Sequence, residues 1–261
     1  MNTRWMTGSL LMSLAVAVPA GAQTADLKMQ FVYAGDTSAP AKIDVNKDVE
    51  FCGQHGLTSE KLIVNPENQG VKNVVVYVYT GRGGTDLDDV APRNQELTLA
   101  NENCRFEPRY VIAQTGDTLK VTNPDPVGHN ANLNFFRNRA QNFTIPAGQE
   151  KSVLLEEPEP APIPVDCNIH PWMRAYVVVL EHPFAAVSDA DGVLEIKGLP
   201  AGKKVTFRVY HEAVAQGKSL DEVMIDGKKE SWRRSRFDLT LGAGENDLGK
   251  VVIPAGTLSA N

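Results

Sequence analysis

The chain of 261 residues is 42% hydrophobic and 22% charged, and its formal net charge at pH 7 is −6. This length allows one large hydrophobic core or two of ordinary size. Because Lys and Arg are scattered through a mildly acidic sequence, we expect no binding to nucleic acid or to an anionic lipid surface.

Residues 1–22 have the pattern of a secretory signal peptide. Arg4 supplies the positive start, residues 10–18 form an apolar stretch too short to span a bilayer, and residues 20–22 read Ala-Gly-Ala, a small-residue cleavage site. We expect a mature chain that begins near Gln23, exported to a periplasm or to the exterior. The alternative is an uncleaved membrane anchor. No later segment approaches the roughly 20 apolar residues of a spanning helix, so we do not expect an integral membrane protein.

Short runs of alternating or β-branched residues follow one another along the rest of the chain. They cover residues 29–33, 74–79, 110–114, 118–122, 152–155, 175–180, 193–196, 204–210, 236–241 and 250–253. Turn sequences such as Asp226-Gly227 separate them. The best helical candidate, residues 219–224, is short. The pattern predicts an all-β fold of sandwiches or partly open barrels.

Prolines occupy every second position between residues 158 and 164. In an extended chain their missing N–H groups would all lie on one side, which predicts an edge strand or a polyproline-like segment. A linker is the alternative. Because the segment precedes Cys167, we favour an edge strand that presents the next loop.

The chain has three cysteines, Cys52, Cys104 and Cys167. Cysteines of exported proteins usually pair, so an odd number leaves one thiol that needs an explanation. We favour a Cys52–Cys104 disulfide and a free Cys167, because Cys167 alone has a histidine and a methionine close by. The alternatives are the two pairings that involve Cys167, and independent thiols at Cys52 and Cys104.

Residues 165–179, "VDCNIHPWMRAYVVV", place Cys167, His170 and Met173 at every third position before a valine-rich strand. A thiolate, an imidazole and a thioether are a soft ligand set that favours copper. His129, which follows the strand at 118–122, is the candidate for a second imidazole. The alternatives are that Met173 only fills the core and that His129 is structural.

The other histidines, His55, His182 and His211, are interpreted as structural. His182 and His211 lie at strand ends, and His55 lies in a glycine-flanked loop beside Cys52.

"CNIHPWM" followed by "RAYVVV" resembles the copper-binding loop of cupredoxins, with the short spacing of amicyanin. The resemblance covers residues 105–181 and implies a Greek-key β-sandwich with one type 1 copper. It implies that Cys167 is the thiolate ligand, that His129 and His170 are the imidazole ligands, and that Met173 is a weak axial ligand.

The same resemblance implies roles for three neighbouring residues. The amide of Asn130 would hold the cysteine loop in place. Pro171 and Trp172 would shield the exposed edge of His170 with an apolar patch, which in cupredoxins is the docking surface and the electron exit.

Two further stretches carry resemblances of their own. Residues 184–212, with "DADG" and "GLPAG" turns between strands, resemble the prealbumin-like sandwich of carboxypeptidase regulatory modules, and "GVKNVVVYV" resembles the front half of such a module. With "CGQHG" and "NCRFEP", the chain resembles exported methylamine-utilisation-like proteins. We therefore expect a β segment at 23–104, which could be part of a discontinuous sandwich, a copper domain at 105–181 and a C-terminal β-sandwich at 182–261.

These features predict an exported type 1 copper protein that transfers one electron to or from a redox partner protein. We do not expect an enzyme, because copper oxidases need additional imidazoles in His-x-His and His-Cys-His runs, which this chain lacks. The alternatives are a copper carrier or sensor without a redox role, and a metal-free β-sandwich that binds glycan or protein.

Overall fold

The computed structural model describes residues 23–36 and 38–260. The predicted signal peptide lies outside these residues. Within them, no helix is both long enough and apolar enough to cross a bilayer.

Strands dominate the described chain, and all ten runs predicted from the sequence fall on strands. The all-β fold class is therefore confirmed. The strands are β1 (Thr24–Tyr33), β2 (Val75–Val78), β3 (Glu96–Glu102), β4 (Arg105–Glu107), β5 (Tyr110–Gln114), β6 (Thr118–Thr122), β7 (His129–Leu133), β8 (Gln141–Ile145), β9 (Glu150–Leu154), β10 (Ile163–Asp166), β11 (Arg174–Leu180), β12 (Ala185–Val187), β13 (Val193–Pro200), β14 (Lys204–Tyr210), β15 (Glu222–Ile225), β16 (Lys228–Ser231), β17 (Arg236–Thr240) and β18 (Gly244–Ile253). The short helix α1 (Val49–Cys52) runs into a 3-10 turn, Gly53–His55.

The strands form four sheets that pack in pairs around two cores. In the first sandwich, the sheet β13-β1-β18-β15-β16 shares a core with the sheet β12-β2-β14-β17. In the second, the sheet β4-β3-β6-β9 shares a core with the sheet β5-β11-β10-β7-β8. Alternate residues of β1 and β6 point inwards, as expected for strands with one buried face. Each large apolar side chain buried in this way contributes about 1.5–3 kcal/mol.

The second sandwich is built from a continuous stretch of chain, β3 to β11, and the first from the strands on both sides of it. β1 lies between β13 and β18, and β2 lies between β12 and β14. Strand β3 pairs with β6, so the second sandwich begins before residue 105.

The two sandwiches meet across a third, smaller cluster of buried side chains. Tyr110 and Tyr176 stack with ring centroids 5.0 Å apart, and Tyr77 of the first sandwich belongs to the same cluster. Beside them Arg109 forms a two-pronged ion pair with Glu212, at 2.6 and 2.8 Å. Alternate residues of β11 therefore face the second core and this interface, and its valine-rich sequence suits burial on both faces.

The helix predicted at 219–224 is wrong. Residues Glu222–Ile225 form β15, which joins β16 in a hairpin through the turn at Asp226 and Gly227. Val223 is completely buried against the first core. The apolar residues thus serve a short strand, and a segment of this length is too short to gain much from helical hydrogen bonds.

The proline segment is an extended approach to β10 and not a strand of its own, since only its residues 163 and 164 belong to β10. β10 lies between β7 and β11. Pro164 is tolerated there because β7 pairs only with Val165 and Asp166, so that side of β10 has no β7 partner at the proline. The preceding Glu159 is buried, and its carboxylate accepts hydrogen bonds from the backbone N–H groups of residues 136–138.

Candidate metal centre

Strand pairing brings the four predicted ligands to one end of the second sandwich. His129 is the first residue of β7, and Cys167, His170 and Met173 belong to the loop and turn between β10 and β11. β7 and β10 are antiparallel neighbours, with Asp166 opposite Asn132. The start of β7 therefore lies beside the loop that leaves β10.

Three ligand atoms converge at this point. One nitrogen each of His129 and His170 and the Sγ of Cys167 all lie within 4.8 Å of one another. Cys167 Sγ is 3.8 Å from His170 Nδ1. Nitrogen and sulfur atoms that bind one ion at about 2.0 and 2.3 Å, at tetrahedral to trigonal angles, lie about 3.5–3.7 Å apart. The spacing fits a single shared metal ion.

The centre is closed to solvent. His129, Cys167 and His170 are at most 1% exposed, and Met173 is 2% exposed. Met173 packs in the same apolar core as Cys167. The loop closes on itself, since the Cys167 N–H donates to the Met173 carbonyl at 3.2 Å and the Met173 N–H donates to the His170 carbonyl at 2.9 Å.

A carboxylate holds the outer nitrogen of each imidazole. Asp125 Oδ2 lies 2.9 Å from His129 Nε2, and Asp48 Oδ2 lies 2.8 Å from His170 Nε2. A carboxylate on Nε2 keeps the proton there and leaves the lone pair of Nδ1 for a metal.

His129 Nδ1 supports the same assignment. This nitrogen is buried and has no hydrogen-bond partner among the described residues. A buried polar atom without a partner costs about 1–3 kcal/mol. A metal ion bound to Nδ1 would remove that penalty. The residues present therefore fit a metal ion that prefers nitrogen and sulfur ligands.

Asn130 fixes the cysteine loop. Its side-chain oxygen accepts hydrogen bonds from the N–H groups of Asn168 at 2.6 Å and Ile169 at 3.3 Å. Its side-chain nitrogen donates to Asn142 Oδ1 of β8 at 2.8 Å. The loop that carries Cys167 and His170 is therefore tied to the strands β7 and β8.

The surroundings of Cys167 favour a thiolate. Burial raises the pKa of the thiol, but the neighbouring imidazoles of His129 and His170 and the N–H groups of Asn130 and His170 outweigh it and bring the pKa to about 6. For His170, burial lowers the pKa, and hydrogen bonds to Cys167 and Asp48 raise it above its usual value. At neutral pH the sulfur is in the form that binds metals.

The outer edge of His170 differs from the arrangement that the cupredoxin resemblance implies. His170 is completely buried, and Asp48 caps its outer nitrogen where an apolar patch was expected. Pro171 is exposed, whereas Trp172 lies with its ring centroid 5.2 Å from that of His170 and donates from its indole N–H to the Cys104 carbonyl.

Asp48 and Asp125 were not identified from the sequence. Asp125 lies four residues before His129, in the loop that leads into β7, a spacing that could have suggested it. Asp48 lies 122 residues away from His170, and no local pattern indicates their contact.

The predicted disulfide and the predicted free thiol are both present. Cys52 and Cys104 form a disulfide with Cα atoms 5.5 Å apart, and Cys167 is free and buried. Cys104 also lies within 4.8 Å of Asp125 and His129 as a second cluster of metal-ligand types, but its sulfur is taken up by the disulfide.

The remaining histidines lie elsewhere. The Nε2 atoms of His182 and His211 are 3.0 and 3.1 Å from the carbonyls of Val78 and Lys72. Burial lowers the pKa of both rings to about 4, so they are neutral at pH 7. His55 packs edge-on against Phe51. Within the described residues these three rings join neither cluster of metal-ligand types.

No family model matches the chain, and no curated protein matches it. Among solved structures, it is similar to the Cu-containing nitrite reductase (NirK) from Thermus scotoductus SA-01, at 18% identity and TM-score 0.31, over 41% of this chain and 25% of that one. It is also similar to a Cu(I) form of an amicyanin variant, at 21% identity and TM-score 0.30, over 32% of this chain and 81% of that one. A purple cupredoxin from Nitrosopumilus maritimus is 22% identical, with TM-score 0.27, over 33% of this chain and 98% of that one. The chain thus spans a quarter of the nitrite reductase, and the functional argument depends on its own residues.

Proposed function

We propose that this chain is an exported type 1 copper protein that carries one electron to or from a redox partner protein. The observation that carries the proposal is the convergence of His129, Cys167 and His170, whose ligand atoms lie within 4.8 Å of one another in a buried centre. Met173 would complete the ligand set with a thioether.

The donor set supports copper over other metals. One thiolate with two imidazoles and a thioether is the ligand combination of blue-copper electron-transfer sites. When bound, copper would supply one-electron chemistry between its Cu(II) and Cu(I) states. Four protein ligands leave no open position for a substrate, which supports a carrier rather than an enzyme.

The protein's own contribution is a preformed site. The carboxylates of Asp125 and Asp48 fix both rings, and Asn130 fixes the cysteine loop. The same atoms can therefore hold the metal in both oxidation states with little movement. Burial of all the ligands excludes water and favours retention of the metal.

A metal-free binding module explains the centre less well. Packing alone would leave His129 Nδ1 buried and unpartnered beside a free thiol with a lowered pKa. The unpartnered nitrogen costs stability unless a metal binds it.

The test is the visible absorption spectrum of the purified chain loaded with Cu(II). We expect an intense thiolate-to-copper band that is lost in Cys167→Ser and retained in the control His55→Gln, which removes a ring outside the centre. A colourless sample of the copper-loaded native chain would contradict the proposal.

A further inference from the structure

Residues 43–57 form a closed loop beside the metal centre. The Ile43 N–H donates to the Leu57 carbonyl at 2.9 Å, and one step further out the Ser59 N–H donates to the Ala41 carbonyl at 2.8 Å. The ends of the loop are thus held together, as in the compact surface loops that pack their own side chains inwards. Leu57 is buried, and Ile43 and Phe51 pack against the second core.

The loop brings Asp48 to His170. Asp48 precedes α1 with a positive φ of 44°, and its carbonyl accepts the Cys52 N–H at 2.8 Å. Its carboxylate contacts His170 Nε2. The Asp48 side chain is 41% exposed whereas that of His170 is 0% exposed, so Asp48 lies between the imidazole and solvent.

The disulfide joins this loop to the other supports of the centre. Cys52 lies in α1, and Cys104 lies in the turn between β3 and β4. The Cys104 N–H donates to Asp125, the carboxylate that also holds His129, and the Cys104 carbonyl accepts the Trp172 indole N–H. The disulfide therefore links the loop that carries Asp48 to the turn whose N–H groups bind Asp125.

We propose that the loop at 43–57 is a disulfide-fastened closure of the metal centre, in which Asp48 is the positioning residue for His170. The identity of the metal rests on the function proposed above, but the closure is a property of the metal-free chain. When the loop is closed, solvent and small reagents do not reach Cys167. A protein that approaches this side contacts Asp48 and Val49, which is 56% exposed, and does not contact the imidazole of His170.

The test is the rate at which iodoacetamide alkylates Cys167 in the metal-free chain. Because Cys52 and Cys104 are bonded to each other, Cys167 is the one free thiol of the native protein. Three variants weaken the closure of the loop. Asp48→Gly removes the carboxylate and still accommodates the positive φ, whereas Asp48→Asn keeps a hydrogen-bond acceptor without the charge. The double variant Cys52→Ala/Cys104→Ala removes the disulfide. The control is Glu50→Gln, an exposed carboxylate on the same helix.

We expect alkylation to be at least tenfold faster in Asp48→Gly and in the double variant, less accelerated in Asp48→Asn, and unchanged in Glu50→Gln. Native rates in both Asp48→Gly and the double variant would overturn the proposal. If near-ultraviolet circular dichroism shows that the double variant has lost its tertiary structure, Asp48→Gly, which keeps the disulfide, decides alone.

This experiment is independent of the copper spectrum. If the copper-loaded protein is colourless but Cys167 is alkylated faster in the variants than in the native protein, the proposed function is overturned and the closure is supported. A coloured protein with native alkylation rates in the variants would support the function and overturn the closure.

Discussion

Asp48 Oδ2 lies 2.8 Å from Nε2 of His170, although 122 residues separate the two in sequence. Asp125 makes the equivalent contact with His129 from only four residues away. Each candidate ligand ring thus has a carboxylate on its Nε2. The Nδ1 atom of His170 faces Cys167, and that of His129 has no hydrogen-bond partner among the described residues. One of these supports is local and the other depends on the complete fold.

Asp125→Ala should lower copper affinity about 10–100-fold, the usual effect of removing a group that orients a metal ligand. The carboxylate also accepts the N–H groups of Asn103 and Cys104, so the variant loosens the β3–β4 turn as well. Competition with a copper chelator measures the affinity. The control is Asp247→Asn, whose carboxylate is half exposed and only 4.0 Å from Lys28. Equal affinities in the native and Asp125→Ala proteins would show that the ring needs no such support.

Asn130→Ala should destabilise the metal-free protein by about 1–3 kcal/mol, because it leaves the N–H groups of Asn168 and Ile169 without their acceptor. Urea unfolding followed by circular dichroism measures the change. Asn142→Ala is the matched comparison, since it removes only the partner of the Asn130 side-chain nitrogen. It should cost less, and a larger loss than in Asn130→Ala would contradict the role assigned to the Asn130 oxygen.

Local patterns predicted much of the fold and the candidate ligands. The runs of β-branched residues on β5, β6, β11 and β14 show their burial directly in the sequence. Cys167, His170 and Met173 could be grouped because they share one loop, where spacing in sequence limits distance in space.

Other features depend on tertiary contacts that leave little trace in the sequence. Strand β7 reads "HNANL", whose polar and small apolar residues hide the alternation of inward and outward side chains. This strand nevertheless places His129 and Asn130 at the metal centre. The proline-rich approach to β10 predicted a sheet edge, and β10 has no β7 partner at Pro164. The sequence did not show that β7 pairs with the next two residues, which makes β10 an interior strand. Asp48 reaches His170 only because the disulfide and the pairing of residues 43 and 57 fold the loop back.

The stability of the metal-free protein should fall as the pH falls from about 6.5 towards 4. Burial lowers the pKa of His182 and His211 to about 4, below the ordinary value of 6.5. Between these values the unfolded chain binds more protons than the folded one, so each ring's contribution is complete above about pH 6.5 and is lost on acidification. Each ring accounts for about 2 kcal/mol between pH 7 and pH 5.

Urea unfolding of the native protein and of His211→Gln at pH 7 and pH 5 tests this dependence. Glutamine can still donate to the Lys72 carbonyl but does not bind a proton in this range. The loss of stability between the two pH values should therefore be about 2 kcal/mol smaller in His211→Gln. A native pH dependence in His211→Gln would contradict the assignment.

The ion pair between Arg109 and Glu212 should be a major contact between the two sandwiches. Its side chains are 10% and 4% exposed, and Glu212 also accepts a hydrogen bond from the Tyr176 hydroxyl at 3.3 Å. Glu212→Gln leaves the buried guanidinium with one carboxylate partner, Glu60 at 3.3 Å, and with the Arg174 carbonyl at 2.9 Å. Removal of one member of a buried pair costs about 3–5 kcal/mol, whereas loss of an exposed pair costs less than about 1 kcal/mol.

Urea unfolding should therefore show a loss of about 3 kcal/mol in Glu212→Gln. The matched control is Glu222→Gln, because Glu222 and Lys229 form an ion pair with side chains 59% and 62% exposed. This variant should change stability by less than about 1 kcal/mol. Similar losses in the two variants would mean that water still screens the Arg109 pair and that the stacked tyrosines beside it hold the sandwiches together.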